Sequence, residues 1–193
     1  KVDLEILSIL SKNNIMPLSF GGGINSIKDI ELCLKYGCDK VVINTSCLKN
    51  INFIKEASKV FGKQCIVCSV DYKFDNDNLK IYSHIGLNTE KLEIKNYIND
   101  LINNGAGEII LTSVKNEGLM RGFDKNLHKI LSGELEIPIL VNGGCGEPKD
   151  ILEILNKNQF DAVCASSIFF YTQFGYSDIK NFLLNNNINV RAW

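Results

Sequence analysis

Asp71 closes the apolar run Cys65-Ile66-Val67-Cys68-Ser69-Val70, and two glycine turns lie on either side of it in the chain, Gly21-Gly22-Gly23 and Asn142-Gly143-Gly144. A carboxyl group at the end of a buried strand loses hydration. That raises its pKa toward neutrality and suits it to general acid or base work. Capping a turn, or pairing with Lys73, is the plain alternative. Glycines let backbone N–H groups approach a phosphate, and a helix that begins just beyond adds the attraction of its dipole. The alternative for the glycines is that they only turn a strand into a helix. One strand after each turn come Asn44-Thr45 and Ser166-Ser167, whose hydroxyls could donate to the same anion. Thr112, with Glu117 and Gly118 just beyond it, stands at another strand end. The chemistry on offer is two anion sites facing one cavity, with a proton-transfer group between. A bulky residue at Gly144 should then weaken a bisphosphate ligand while leaving the fold intact. His84 and His128 are the only histidines, one in a polar stretch and one in a helical pattern, so neither a histidine mechanism nor a metal site is expected. There is no Ser/His/Asp arrangement.

These residues need elements to hold them. Strand-length apolar runs recur at Met16–Phe20, Lys40–Asn44, Cys65–Val70, Glu108–Ser113, Ile137–Val141 and Asp161–Ala165, none with clean alternation, as in parallel strands buried on both faces. Helical patterns fill the gaps: Lys1–Lys12, Ser26–Tyr36, Ile51–Val60, Leu92–Asn103, Asp124–Leu131, Pro148–Asn156 and Ser177–Asn185. Tyr72–Asn88 reads as a long polar loop or a small hairpin. Strands alternating with helices make βα units and a parallel sheet in a single domain spanning residues 1–193.

The chain repeats itself. PLSFGGGIN at 17–25 and PILVNGGCG at 138–146 are offset by 121, as are Lys28-Asp29-Ile30 and Lys149-Asp150-Ile151. With one residue more, Asp39 matches Asp161 and Thr45 matches Ser167. A βαβ quarter recurring at half-length intervals describes an eight-stranded barrel of two similar halves, roughly 250 residues in all. This chain is short of that by about two βα units. Cys65–Asp71 lies between the copies and needs a counterpart some 121 residues earlier, before Lys1, so the expected architecture is strands three to eight of a (β/α)8 barrel. A six-strand doubly wound sheet is the alternative.

Composition sets wide bounds. The chain has 193 residues, 45% hydrophobic and 22% charged, with a formal net charge of −1, which gives no electrostatic reason to expect nucleic acid or a membrane surface. No run approaches the ~20 apolar residues of a membrane span. The seven cysteines sit mostly in apolar runs, which fits free thiols in a reducing cytoplasm better than a disulfide framework. Cys65 and Cys68 have C-x-x-C spacing, but residues three apart on a strand face opposite ways and cannot share a metal.

PLSFGGGI, GCDKVVINTS, CIVCSVDYK, NNGAGEIILTSVKNEGLMRGFD, IPILVNGGCG and DAVCASSIFF, in this order and spacing, resemble the HisF family, the cyclase subunits of imidazole glycerol phosphate synthase. The resemblance runs from Lys1 to Arg191 and begins at the family's second helix. It implies a (β/α)8 barrel that takes ammonia from a HisH-like glutaminase subunit and needs no cofactor. The phosphorylated ribonucleotide substrate becomes imidazole glycerol phosphate and an aminoimidazole carboxamide ribotide, in histidine biosynthesis. Asp71 matches one of the two acid–base aspartates. Gly23, Asn44 and Thr45 match one phosphate region, and Gly144, Ser166 and Ser167 the other. Lys40 and Glu108 match the ammonia gate at the opposite mouth, and Asp39 a glutaminase-facing position. Departures stand at Lys115-Asn116-Glu117-Gly118-Leu119, where the family usually has Asp-Arg-Asp-Gly-Thr, and at Asn142, where it has serine. They resemble HisF-like paralogues that relay ammonia for amidation of bacterial surface sugars. A non-catalytic phosphate-binding or partner-binding barrel is the third reading.

Overall fold

The computed structural model describes residues 1–75, 78–83, 86–127, 135–156 and 160–191. Among them the strands are β1 (Ser19–Gly21), β2 (Lys40–Ile43), β3 (Ile66–Asp75), β4 (Asn78–Ser83), β5 (Asn88–Glu90), β6 (Glu108–Ser113), β7 (Ile139–Asn142) and β8 (Ala162–Cys164). The helices are α1 (Leu4–Asn13), α2 (Ile27–Lys35), α3 (Thr45–Lys49), α4 (Asn52–Phe61), α5 (Ile94–Asn103), α6 (Pro148–Leu155), α7 (Ser167–Tyr171) and α8 (Tyr176–Asn185).

Six strands run parallel in the order β1-β2-β3-β6-β7-β8, while β4 and β5 form an antiparallel extension on β3. The parallel strands follow chain order without a reversal. A doubly wound sheet reverses at a switch point, whereas a barrel does not. The fold is therefore of the (β/α) barrel type, as the repeat requires, with β1–β2 and β7–β8 parallel and apart.

Strand side chains alternate between two faces. Val41, Ile43, Ile66, Cys68, Val70, Ile109, Leu111, Ile139 and Val141 are buried against Ile30, Ile54, Leu101 and Ile151 of the helices. The other face carries Val42, Ser69, Ile110, Leu140 and Ala162, all half-buried. The expectation of strands buried on both faces holds fully for one face; on the other Val67 is buried and its neighbours are half-buried. Among the described residues β1 and β8 each have a single neighbour, so the sheet does not close over its inner side.

Of the two readings of Tyr72–Asn88, the hairpin is the one seen among the described residues. β3 continues to Asp75 and folds back as β4, pairing Tyr72 with Ile81, both buried. Tyr72, Phe74, Leu79 and Ile81 pack on one side of this hairpin, an alternation that the polar run of Asp and Asn at 75–78 obscures in the sequence. The expected helix Asp124–Leu131 falls partly outside the described residues, which stop at Leu127. All seven cysteines are free; Cys65 lies in a short 3₁₀ turn before β3, and Cys68 faces Cys47 with the sulfurs 4.0 Å apart.

The two copies share their fastenings. At one, Leu18 N donates to Asp39 Oδ2 (2.7 Å) and Asp39 N to Leu18 O (2.8 Å). At the other, Ile139 N donates to Asp161 Oδ2 (2.8 Å) and Asp161 N to Ile139 O (3.0 Å). Each aspartate thus ties the start of one strand to the strand before it. Asp39→Ala and Asp161→Ala should each cost about 1 kcal/mol, the net worth of one such bond, and lower the melting temperature by roughly 2–4 °C. Matching losses in thermal melts would bear out the equivalence; a loss at one position alone would contradict it.

Candidate active site at the carboxyl ends of the strands

Each glycine turn follows from its strand. Gly22 and Gly23 take φ of 106° and 73°, and Gly143 and Gly144 take 98° and 111°, a region L side chains rarely enter. An aspartate in the first turn of the following helix holds each loop. Asp29 Oδ2 accepts from Asn25 N (3.1 Å), and Asp150 Oδ2 accepts from Gly146 N (2.8 Å). Burial pushes the Asp29 carboxyl up, but the bonds from Asn25 and Ser26 outweigh it and leave it below its ordinary value.

The predicted residues gather in two places. Gly22, Gly23, Asn44, Thr45 and Asp71 line one cavity of about 540 Å³, joined by Lys49 and Ser69. Glu117, Gly118, Asn142, Gly143, Gly144, Ser166 and Ser167 line a second, much smaller pocket. Asn44 and Ser166 precede the short helices α3 and α7 in the same manner, so Thr45 and Ser167 occupy equivalent first-turn positions.

A row of side chains runs between the two. Tyr82 of β4, Asp71 of β3, Thr112 of β6 and Asn142 of β7 are successive in-register partners. Alternation puts all four on the inner face, at about the 4.8 Å strand spacing. Asn142 Nδ2 donates to Thr112 Oγ1 (3.4 Å). Ser69 Oγ donates to Asp71 Oδ1 (3.5 Å). Burial raises the Asp71 pKa, and hydrogen bonds from Asn44 and Ser69 only partly offset it. The Asn44 side-chain oxygen is buried with no hydrogen-bond partner, which leaves an acceptor open toward a ligand donor.

A raised carboxyl pKa has a sign in stability. The folded protein binds the proton more tightly than the unfolded chain, so the contribution is full below the ordinary carboxyl pKa of 3.8 and is lost as pH rises through the folded value. Asp71→Asn, which removes the charge, should melt higher than wild type at pH 7, and the gap should close toward pH 4. A variant that melts lower at pH 7 would contradict this desolvation.

At the opposite, amino-terminal end of the sheet, Lys40 of β2 and Glu108 of β6 reach across β3 and pair, both half-buried. Asp39 stands beside them, but its carboxylate is committed to Leu18 N. Sequence reasoning missed Tyr82, Ser69 and Lys49. The signal for Tyr82 was the alternation through Leu79–Ser83; nothing in the sequence singled out the other two. Among the described residues, no three His, Cys, Asp or Glu side chains gather where a metal ion could sit, and no helix is long and apolar enough to cross a membrane.

A barrel-type parallel sheet with paired glycine cradles and a desolvated carboxylate at its strand ends defines the class. The family model described as "Histidine biosynthesis protein" matches residues 1–175, and the chain belongs to that family. It is 34% identical over 193 residues to the HisF subunit of imidazole glycerol phosphate synthase of Bacillus subtilis, covering 99% of this chain and 77% of that protein. The corresponding subunit of Dehalococcoides mccartyi is 36% identical over 191 residues, with 99% and 76% covered. A Campylobacter jejuni protein provisionally named as the synthase subunit hisF2 is 38% identical over 191 residues, with the same coverage.

Proposed function

We propose that the protein is the cyclase subunit of imidazole glycerol phosphate synthase. In this reading it uses ammonia from a glutaminase partner to form imidazole glycerol phosphate and an aminoimidazole carboxamide ribotide, in histidine biosynthesis in the cytoplasm. The observation that carries the reading is the row Asp71-Thr112-Asn142, which joins two equivalent glycine cradles across one sheet face.

A substrate phosphorylated at both ends is held by the Gly22-Gly23/Thr45 cradle at one end and by the Gly143-Gly144/Ser167 cradle at the other. Backbone N–H groups and hydroxyls bind each anion without a full countercharge, and Lys49 adds one cation on the first side. Glu117 is an acceptor, suited to a sugar hydroxyl and not to phosphate. The reacting centre then lies over Asp71. Closing the imidazole ring and breaking the C–N bond both require protons to move. A carboxyl group with a raised pKa can hold one and release it near neutral pH. The resemblance pairs Asp71 with a second acid–base carboxylate.

Ammonia enters from the other mouth, past the Lys40–Glu108 pair. Lys40→Met in the intact protein should cut glutamine-dependent turnover at least several-fold while turnover with free ammonia stays near wild type. Equal losses with both nitrogen sources would remove the gate from the account. The departures at Lys115 and Asn142 favour a second reading, a barrel that relays ammonia to another enzyme for sugar amidation. That barrel would bind the glutaminase and turn over no nucleotide.

A further inference from the structure

Asn142 stands among the cradle residues, yet its side chain is engaged elsewhere. Its amide nitrogen donates to Thr112 Oγ1 at 3.4 Å, along the row and away from the glycines. Thr112 stands between Asn142 and Asp71, in register with both. The bond uses a lone pair of Oγ1 and leaves the threonine proton free, so what Asn142 fixes is where the oxygen stands, and with it which neighbour that proton can reach. Among the described residues no hydrogen bond joins Thr112 to Asp71; the bond to Asp71 from its own strand comes from Ser69.

We propose that Asn142 is a positioning residue for Asp71 that acts through Thr112: its carboxamide holds the Thr112 hydroxyl on the β7 side of the row and so keeps that hydroxyl off the Asp71 carboxylate. A shorter side chain at 142 releases the hydroxyl to turn toward β3. An added donor stabilises the ionised carboxylate and weakens its hold on a proton. The residue at 142 therefore sets how acidic the catalytic-face carboxyl is, from two strands away. This direction agrees with the raised pKa of Asp71, whose first cause is burial and whose offsetting bonds come from Asn44 and Ser69 alone.

The other charged and titratable groups facing this end of the sheet are Lys73 on β3, Lys80 and Tyr82 on β4, Lys49 on α3, Glu117 in the loop after β6, and Cys164 on β8, which is in register with Asn142. None is altered by a change at 142 or 112, so a shift on substitution reports the hydroxyl. The importance of that shift for turnover rests on the function proposed above; the geometry does not.

The test is therefore made without substrate. The intact protein is labelled with carboxyl-13C aspartate, and the Asp71 resonance, assigned by its loss in Asp71→Asn, is titrated by NMR. Asn142→Ala should lower the Asp71 midpoint by roughly 0.5–1 unit, the order that one added hydrogen bond contributes to a carboxylate. The double variant Asn142→Ala/Thr112→Val should return it to at least the wild-type value. Asn142→Ser, whose hydroxyl is too short to take over the bond, serves as a second probe if the alanine variant folds poorly, and should shift in the same direction. An unchanged or raised midpoint in the single variants, or a shift that persists without the Thr112 hydroxyl, overturns the proposal. Turnover then separates the two claims. If the midpoint moves but wild-type protein turns over no nucleotide, the cyclase reading fails and the positioning role stands. If turnover is present and the midpoint is fixed, the reverse holds.

Discussion

Replacing Asp71 by asparagine is expected to lower turnover by about 10²–10⁴-fold, the usual loss when a general acid or base is removed, while substrate affinity stays within a few-fold of wild type. Asparagine keeps the shape of the side chain and can still accept from Ser69, which now donates to Oδ1 at 3.5 Å. It cannot take up and return a proton. The proposed anion cradles are built from glycine backbones and hydroxyls, and Asp71 lines only the first of the two cavities, so binding and chemistry should separate. The assay supplies ammonia directly, at a pH high enough to keep it unprotonated, to the intact protein with its nucleotide substrate. A fall in kcat at unchanged KM is the predicted result. A rise in KM at unchanged kcat would make Asp71 a binding residue.

Gly144→Ala should be the most damaging single methyl group in the site. The residue has φ of 111°, and a Cβ there would stand 2.2 Å from the carbonyl oxygen of Gly122, with Asn116 also in the way. Gly144 O meanwhile accepts from Gly122 N (2.8 Å), so the two backbones cannot simply part. Backbone strain of about 1–3 kcal/mol adds to the collision, and a total near 3 kcal/mol would lower the melting temperature by roughly 6–12 °C. Losing one charge-assisted bond to phosphate weakens a bisphosphate analogue roughly 10–100-fold. This corrects the expectation that position 144 accepts a bulky residue with the fold intact. Gly22 offers the contrast. Its φ is 106°, but no heavy atom lies within 4 Å of an added Cβ, so Gly22→Ala bears the strain without the collision and should lose about half as much stability. Comparable melting points for wild type and Gly144→Ala would contradict the packing described.

The repeat made most of this legible in advance. Two copies of one βαβ pattern fix the order of strands, the places of both glycine turns and the equivalence of Thr45 with Ser167, because a physical device used twice leaves the same residues twice. Glu108–Ser113 is a strand with the bounds its apolar pattern implies. The hairpin was harder, since Asp75 to Asn78 reads as a loop while the alternation that builds β3 and β4 lies on either side of it. α3 and α7 are five residues each, too short for helical periodicity to register. Ser69 looked like one polar residue in an apolar run; strand alternation puts it on the face of Asp71, but only the structure shows the bond between them. Asp39 went the other way. Its match to Asp161 was visible, but its role as a strand tie emerges only from the bonds both aspartates make.

The central claim is that two cradles and one carboxyl group form a single site, and a crystal structure of the intact protein with its doubly phosphorylated nucleotide tests it most directly. One phosphate is expected on the Gly22-Gly23/Thr45 backbone and hydroxyl, the other on Gly143-Gly144/Ser167, and the atoms between them within hydrogen-bond reach of Asp71. A ligand with both phosphates at one cradle, or one that spans the cradles but leaves Asp71 out of reach, would contradict it.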